Sequence, residues 1–238
     1  MKKILHKAAK RGHADHGWLN AWHSFSFASY QDPEKVHFGV LRVLNDDTIA
    51  GGMGFGAHPH DNMEIITIPL SGQLEHKDSM GNTGIISKGE VQVMSAGTGI
   101  QHSEKNKNSN EALKLLQIWL FPNKKNVEPR YDQKAFDLET AKNNLLTIVS
   151  PMGEKEGLNI HQNAWFSLGK LDKDFTTTYQ LKDKNNGVFA FVIDGDIIIN
   201  GEKLNRRDAL GLTDAGELEI KAETEAELLL MEIPMQLN

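Results

Sequence analysis

The apolar residues of this chain come in short runs, each closed by Gly, Asn, Asp or Pro, and not in long stretches with a helical period. The runs lie at 36–44, 63–70, 113–121, 188–193 and 228–233. Runs of this length and bounding suit strands, because a helix that buries a face needs at least 10–12 residues of sustained period. Asn45-Asp46-Asp47, Met80-Gly81-Asn82, Asp194-Gly195 and Asn200-Gly201 read as turn signals between them. Asn200-Gly201 in particular, set between Ile197–Ile199 and Glu202–Leu204, predicts a tight hairpin. Helix is expected only near 138–144 and in one or two further turns. The chain is therefore expected to be all-β, a sandwich or barrel architecture with little helix.

The order of events repeats. In the first half 65–70 is followed by Ser71-Gly72, a hairpin, Gly89-Glu90, Ala96-Gly97 and the run 113–121 before Pro122. In the second, 189–193 is followed by Asp194-Gly195, a hairpin, Arg207-Asp208, Ala215-Gly216 and the run 228–233 before Pro234. This predicts two stacked β domains related by duplication. The expected bounds are residues 1–122 and 151–238, joined by a polar linker at 123–150. Residues 105–110 (KNKNSN) read as a solvated loop.

Charge and composition narrow the partners. Lys and Arg number 26 against 32 Asp and Glu, a net charge of −6, with no dominant basic block. Direct binding to nucleic acid is not expected. The basic start (Lys2, Lys3, Lys7, Lys10, Arg11) is not followed by the apolar stretch of a signal peptide, and no run reaches the length of a membrane span. A cytoplasmic protein without a membrane partner is expected. Cysteine is absent, so any metal site must be built from imidazole and carboxylate.

Nine of the ten histidines fall in the first 102 residues. His58 and His60 flank Pro59, and on a strand their side chains point to one face. His102 and Glu104 repeat that parity with an imidazole and a carboxylate. Three histidines and one glutamate suit a divalent ion with open positions for O₂ or substrate. Glu64 shares the parity of His58 and His60 and competes for the carboxylate role unless a bulge turns it away. His76 is a candidate for the pocket beside the ligands. Met53, Phe55 and Met94 are placed to line an apolar pocket, whereas Trp22, Phe25 and Phe27 read as core.

These residues carry a resemblance. Gly52, His58-Pro59-His60, Glu64 and Gly72 resemble the first motif of the cupin family, with Glu64 one position early. Gly89, Ser95, Gly97, His102 and Asn106 resemble the second, with His102 two residues late. The strings Leu74-Glu75-His76-Lys77-Asp78-Ser79, Met94 to Glu104, Gln117-Ile118-Trp119-Leu120 and Pro129-Arg130-Tyr131 resemble the pirin branch, as do Arg11 to Trp18 and Trp22 to Phe27. The resemblance implies a bicupin of two β-barrel (double-stranded β-helix, or jelly-roll) domains. It implies one metal, in the first domain, on His58, His60, His102 and Glu104, with none in the second. It further implies quercetin 2,3-dioxygenase-type chemistry on a small aromatic substrate with O₂, with Glu104 as the catalytic base. Fe(II) is the expected ion, with Mn, Ni, Co, Cu or Zn as substitutes. The alternative is a metal-binding regulatory or redox-sensing protein that acts through a protein partner.

Overall fold

The computed structural model describes residues 1–237, and each of the five apolar runs contributes to a strand. The strands form two halves of the same design. A seven-stranded sheet faces a four-stranded one in each half, and the two seven-stranded sheets pack against each other. The sheets stay open and do not close into barrels, so each half is a jelly-roll, as the expected bicupin architecture allows.

Alternation along the central strands explains this layering. On Asn186–Asp194, Phe189, Phe191 and Ile193 enter the core shared by both halves, and Val188, Ala190 and Val192 face the interior of their own half. Its neighbour Ala226–Pro234 does the same with Leu229 and Met231 against Leu228 and Leu230. A strand covered on both faces must be apolar on both, hence the continuous runs. Each Phe or Leu so buried contributes about 1.5–3 kcal/mol. The equivalent central strands of the first half, Glu64–Ser71 and Leu113–Leu120, send Ile66, Ile68, Leu116 and Ile118 into the shared core. Their other face carries Thr67, Gln117 and Trp119. The interior of the second half is filled with aliphatic side chains such as Ile197, Ile199, Leu204 and Ile220. The interior of the first is partly polar and partly hollow.

The sheets cross the expected bounds. The opening strand Lys2–His6 pairs with Ala209–Thr213 of the second half, and His6 packs edge-on against Phe25 and Phe189 at the junction. The segment 123–150 is not a loose linker. Arg130–Ala135 pairs with Glu90–Ser95 in the first half, and Leu145–Pro151 already belongs to the second. Near 138–144 there is only the 3-10 turn Leu138–Ala141, capped by Asp137 through the Glu139 N–H. With the turn Ala8–Lys10 it is all the helix among the described residues, and no helix is long and apolar enough to cross a membrane.

Asn200-Gly201 forms the expected hairpin, both residues at positive φ (46° and 78°), as a type I′ turn requires. Asn45-Asp46-Asp47 does not turn. It lies inside the nine-residue strand Leu41–Ile49. These residues are poor strand formers, and each side chain is held by tertiary partners or placed in a cavity. Asp46 shows the first case, because its Oδ2 accepts from Arg11 at 3.2 Å and forms an ion pair with Arg207 of the other half at 3.0 Å.

Candidate metal centre

The centre is built on the four-stranded sheet of the first half. Ile100–Asn106 runs between Gly54–His60 and Gln73–Asp78, which sets His102 opposite His58 on one side and Asp78 on the other. The ladder then slips. Glu104 stands opposite Phe55 and His76, so Gly54–His60 carries one extra residue over this stretch, at about Gly56-Ala57. Bulges re-aim side chains in this way. Gly54 has no room for a Cβ, which would collide with the Glu104 backbone, so the two strands approach only because a glycine is there. The two-residue delay before His102 is taken up by the turn at Gly97 and Gly99, both at positive φ (50° and 130°).

His58, His60 and His102 converge. Each offers a ring nitrogen within 4.8 Å of the others, and the ring centroids lie 4.4–4.9 Å apart. Burial, then the neighbouring rings, pushes His102 down to about 2 and His60 down to about 4. Both are therefore neutral at pH 7, as metal ligation requires. A second group within the same span comprises His76, His102 and Glu104.

Hydrogen bonding separates the two groups. His58 Nδ1 lies 2.9 Å from the Gly56 carbonyl, so that nitrogen carries the proton and Nε2 keeps its lone pair. Asp78 Oδ2 lies 3.3 Å from His76 Nε2. Against the cost of its own burial, bonds from Asn82, His76 and Met80 hold the Asp78 carboxyl below the usual range. An ionised carboxylate only accepts, so His76 Nε2 donates to it. Burial lowers the His76 pKa, so the ring is neutral and its Nδ1 accepts from His102 Nδ1, 3.4 Å away. His102 Nε2 is then left as a lone pair, buried and without a partner. His76 is engaged at both nitrogens and stacked on Tyr131 at 4.7 Å, whereas His58 and His102 each retain a free Nε2. This donor set fits a divalent ion, and the orphaned His102 nitrogen is the observation that says so. Replacing His76 by Phe is expected to weaken metal binding about 10–100-fold, measured by competition with a chelator, while folding is retained. Unchanged affinity would remove His76 from this role.

Glu104 is buried, with a carboxylate oxygen within 4.8 Å of ring nitrogens of His76 and His102, and Gln117 Nε2 donates to both of its oxygens at 3.0 and 3.1 Å. Thr67 in turn donates to Gln117 Oε1 at 3.3 Å. Burial raises the Glu104 pKa, and the Gln117 bond opposes that rise. Glu64 is elsewhere. The chain leaves the small sheet through residues 61–63, with Asn62 at φ 45°, and Glu64 begins a strand of the large sheet. Its carboxyl accepts from Ser95 Oγ at 2.8 Å, and burial pushes it up to about 7. A change of sheet, and not a bulge, removes it from the histidines.

The centre opens into a cavity of about 470 Å³ with aromatic walls, Trp18, Phe27, Phe55 and Trp119. Trp119 packs edge-on against both His60 (4.9 Å) and Phe27 (5.4 Å). Phe55 lines the cavity as expected, but Met53 is exposed and Met94 is buried in a separate cluster with Ile65, Ala96 and Ile100. Phe27 is a wall residue and not core; Phe25 is core, and Trp22 stacks on His13 at 4.1 Å. His23, Asn45, Asp47 and Gln117 also line it; His23 and Gln117 lie in strings that carry the pirin resemblance but are not singled out there as site residues, and Asn45 and Asp47 read as part of a turn. The available signal was a polar residue at interior parity within an apolar strand, as with Gln117 and Thr67.

Comparison with known proteins agrees with this architecture. Residues 5–120 match the Pirin family and residues 147–233 match the quercetinase C-terminal cupin domain. A quercetin 2,3-dioxygenase of Escherichia coli K12 is 44% identical over 230 residues, covering 97% of this chain and 98% of that protein. A pirin-like protein of Caulobacter vibrioides is 41% identical, covering 94% and 96%. The crystal structure of the bacterial pirin YhhW from Escherichia coli in complex with nickel(II) superposes with a TM-score of 0.92 at 42% identity, covering 98% of this chain and 99% of that one. Family matches to both halves and identities of 41–44% across nearly the whole chain settle the kinship: the chain belongs to the pirin family.

Proposed function

We propose that this protein is a metal-dependent dioxygenase of the quercetin 2,3-dioxygenase type, with the metal on His58, His60, His102 and Glu104. Fe(II) is the ion we assign. The observation that carries the reading is the set of free imidazole nitrogens at the head of an aromatic-walled cavity. The name of the Escherichia coli relative and the nickel(II) bound to YhhW support it. The substrate is a flavonol-like planar phenol, whose heterocycle is opened by O₂ with release of carbon monoxide.

An ion in this site supplies Lewis acidity that makes the substrate hydroxyl more acidic. The chain does the rest. Trp18, Phe27, Phe55 and Trp119 hold a planar ring and exclude water from it. A Glu104 carboxylate oxygen takes the hydroxyl proton, and burial raises its affinity for that proton. The Gln117 amide fixes the carboxylate plane, so the proton arrives at a defined position.

The test is aerobic incubation of Fe(II)-loaded protein with quercetin, following the flavonol absorbance, oxygen uptake and carbon monoxide together. One O₂ consumed and one carbon monoxide released per flavonol is the expected result. No turnover with any of several divalent ions, alongside metal-dependent capture of a protein partner, would favour the regulatory alternative.

A further inference from the structure

The mechanism above leaves one buried carboxyl of the cavity unused. Asp47 sits on the strand Leu41–Ile49, is 5% exposed and lines the cavity with the aromatic residues. Its Oδ1 is buried without a hydrogen-bond partner, and among the described residues nothing donates to either of its oxygens. Its neighbours across the sheet are Ala21 and Leu115, which offer no side-chain donor. The contrast with Asn45, two residues earlier on the same face, is instructive, because that side chain is paired with His23 Nδ1 at 2.8 Å. The contrast with Asp46 is as clear, since its carboxylate holds two arginines outside the cavity. A carboxyl removed from water and left unpaired destabilises the fold, and such groups persist where a ligand supplies the missing bond.

Its position relative to the metal centre follows from the sheet register. Asn45 pairs with Gln117, the residue that grips Glu104, and Asp47 pairs with Leu115. Two residues along a strand span about 7 Å, so Asp47 stands roughly one fused-ring length from the row that carries the reacting end.

We infer that Asp47 is a specificity residue, which hydrogen-bonds a phenolic hydroxyl of the substrate remote from the oxygen directed at the metal. This rests on the dioxygenase reading for the class of ligand, but not on turnover. Burial, followed by the charges of Glu104 and Asp46, pushes the Asp47 carboxyl up to about 8, so it enters the cavity largely neutral and can both donate to and accept from a hydroxyl. A neutral acid also avoids repelling the proton-accepting Glu104. The site thereby prefers a polyhydroxylated ring to its deoxy counterpart, because binding the latter leaves the carboxyl unpaired.

The experiment is equilibrium binding, read by quenching of the cavity tryptophans Trp18 and Trp119, on metal-loaded and metal-free protein. The probes are quercetin, the flavonol that lacks the two hydroxyls of its pendant ring, and a matched pair of simpler phenols with and without one hydroxyl. The unsubstituted protein is expected to bind the hydroxylated member of each pair about 10-fold or more tightly. Asp47→Leu should bring the two members within twofold, keep one metal per chain, and raise Tm by roughly 3 °C because an unpaired buried acid is gone. Asp47→Asn, which keeps both a donor and an acceptor, should retain part of the preference. Preference that survives in Asp47→Leu, or no binding of any hydroxylated probe, overturns the assignment. Oxygen uptake on the same samples separates the two readings. Hydroxyl preference without turnover sinks the dioxygenase and leaves Asp47 as the recognition group.

Discussion

His102→Ala is expected to leave less than about a tenth of an equivalent of metal per chain after dialysis and to lower turnover by at least about a thousandfold. The size of the effect follows from the position of His102. It belongs to both groups of side chains whose donor atoms lie within 4.8 Å, so no alternative trio survives its loss. It is also the end of the chain of hydrogen bonds from Asp78 through His76, which fixes the tautomer. The variant therefore loses a ligand and leaves a His76 nitrogen unpaired in a buried place. His161→Ala is the control, because that histidine lies outside both groups, and it should keep its metal and activity. Metal content by elemental analysis and oxygen uptake check both variants. Full metal retention in His102→Ala would remove the histidine trio as the binding site.

The second large effect separates two buried glutamates. Glu104→Gln should lower kcat by about 10²–10⁴, since the proton acceptor is lost while the volume and one of the two Gln117 bonds are kept. Glu64→Gln should keep metal content and kcat within about threefold. Sequence parity does not distinguish these carboxyls, but their surroundings do. Glu104 lies on the small sheet with His102, gripped by Gln117, whereas Glu64 lies on the large sheet against Ser95. Full metal retention in Glu104→Ala, with loss in Glu64→Ala, would reverse the assignment.

Much of the fold was legible because it rests on local periodicity. Short apolar runs closed by turn residues became strands, and Asn200-Gly201 turned as its chemistry requires. The misreadings share one cause, tertiary context overriding local preference. Asn45-Asp46-Asp47 has turn composition yet sits in mid-strand, since Asn45 has His23 and Asp46 has two arginines. The segment 138–144 forms only a 3-10 turn followed by a new strand, because the second half begins there. No local pattern revealed that Lys2–His6 would join the sheet of the second half.

The sequence by itself determined the chemistry available. Without cysteine a metal site is limited to nitrogen and oxygen, and the parity of His58, His60, His102 and Glu104 follows from the two-residue period of a strand. It also determined the asymmetry between the halves, because the second lacks histidines beyond His161. The tertiary structure alone decided which carboxyl faces the histidines, which nitrogens remain free, and that Asp47 enters the cavity unpaired. Those outcomes depend on a change of sheet at Asn62, a register slip beside Glu104 and partners dozens of residues away. Periodicity says which side chains share a face of a strand. What that face looks onto is fixed only when the sheets close over one another.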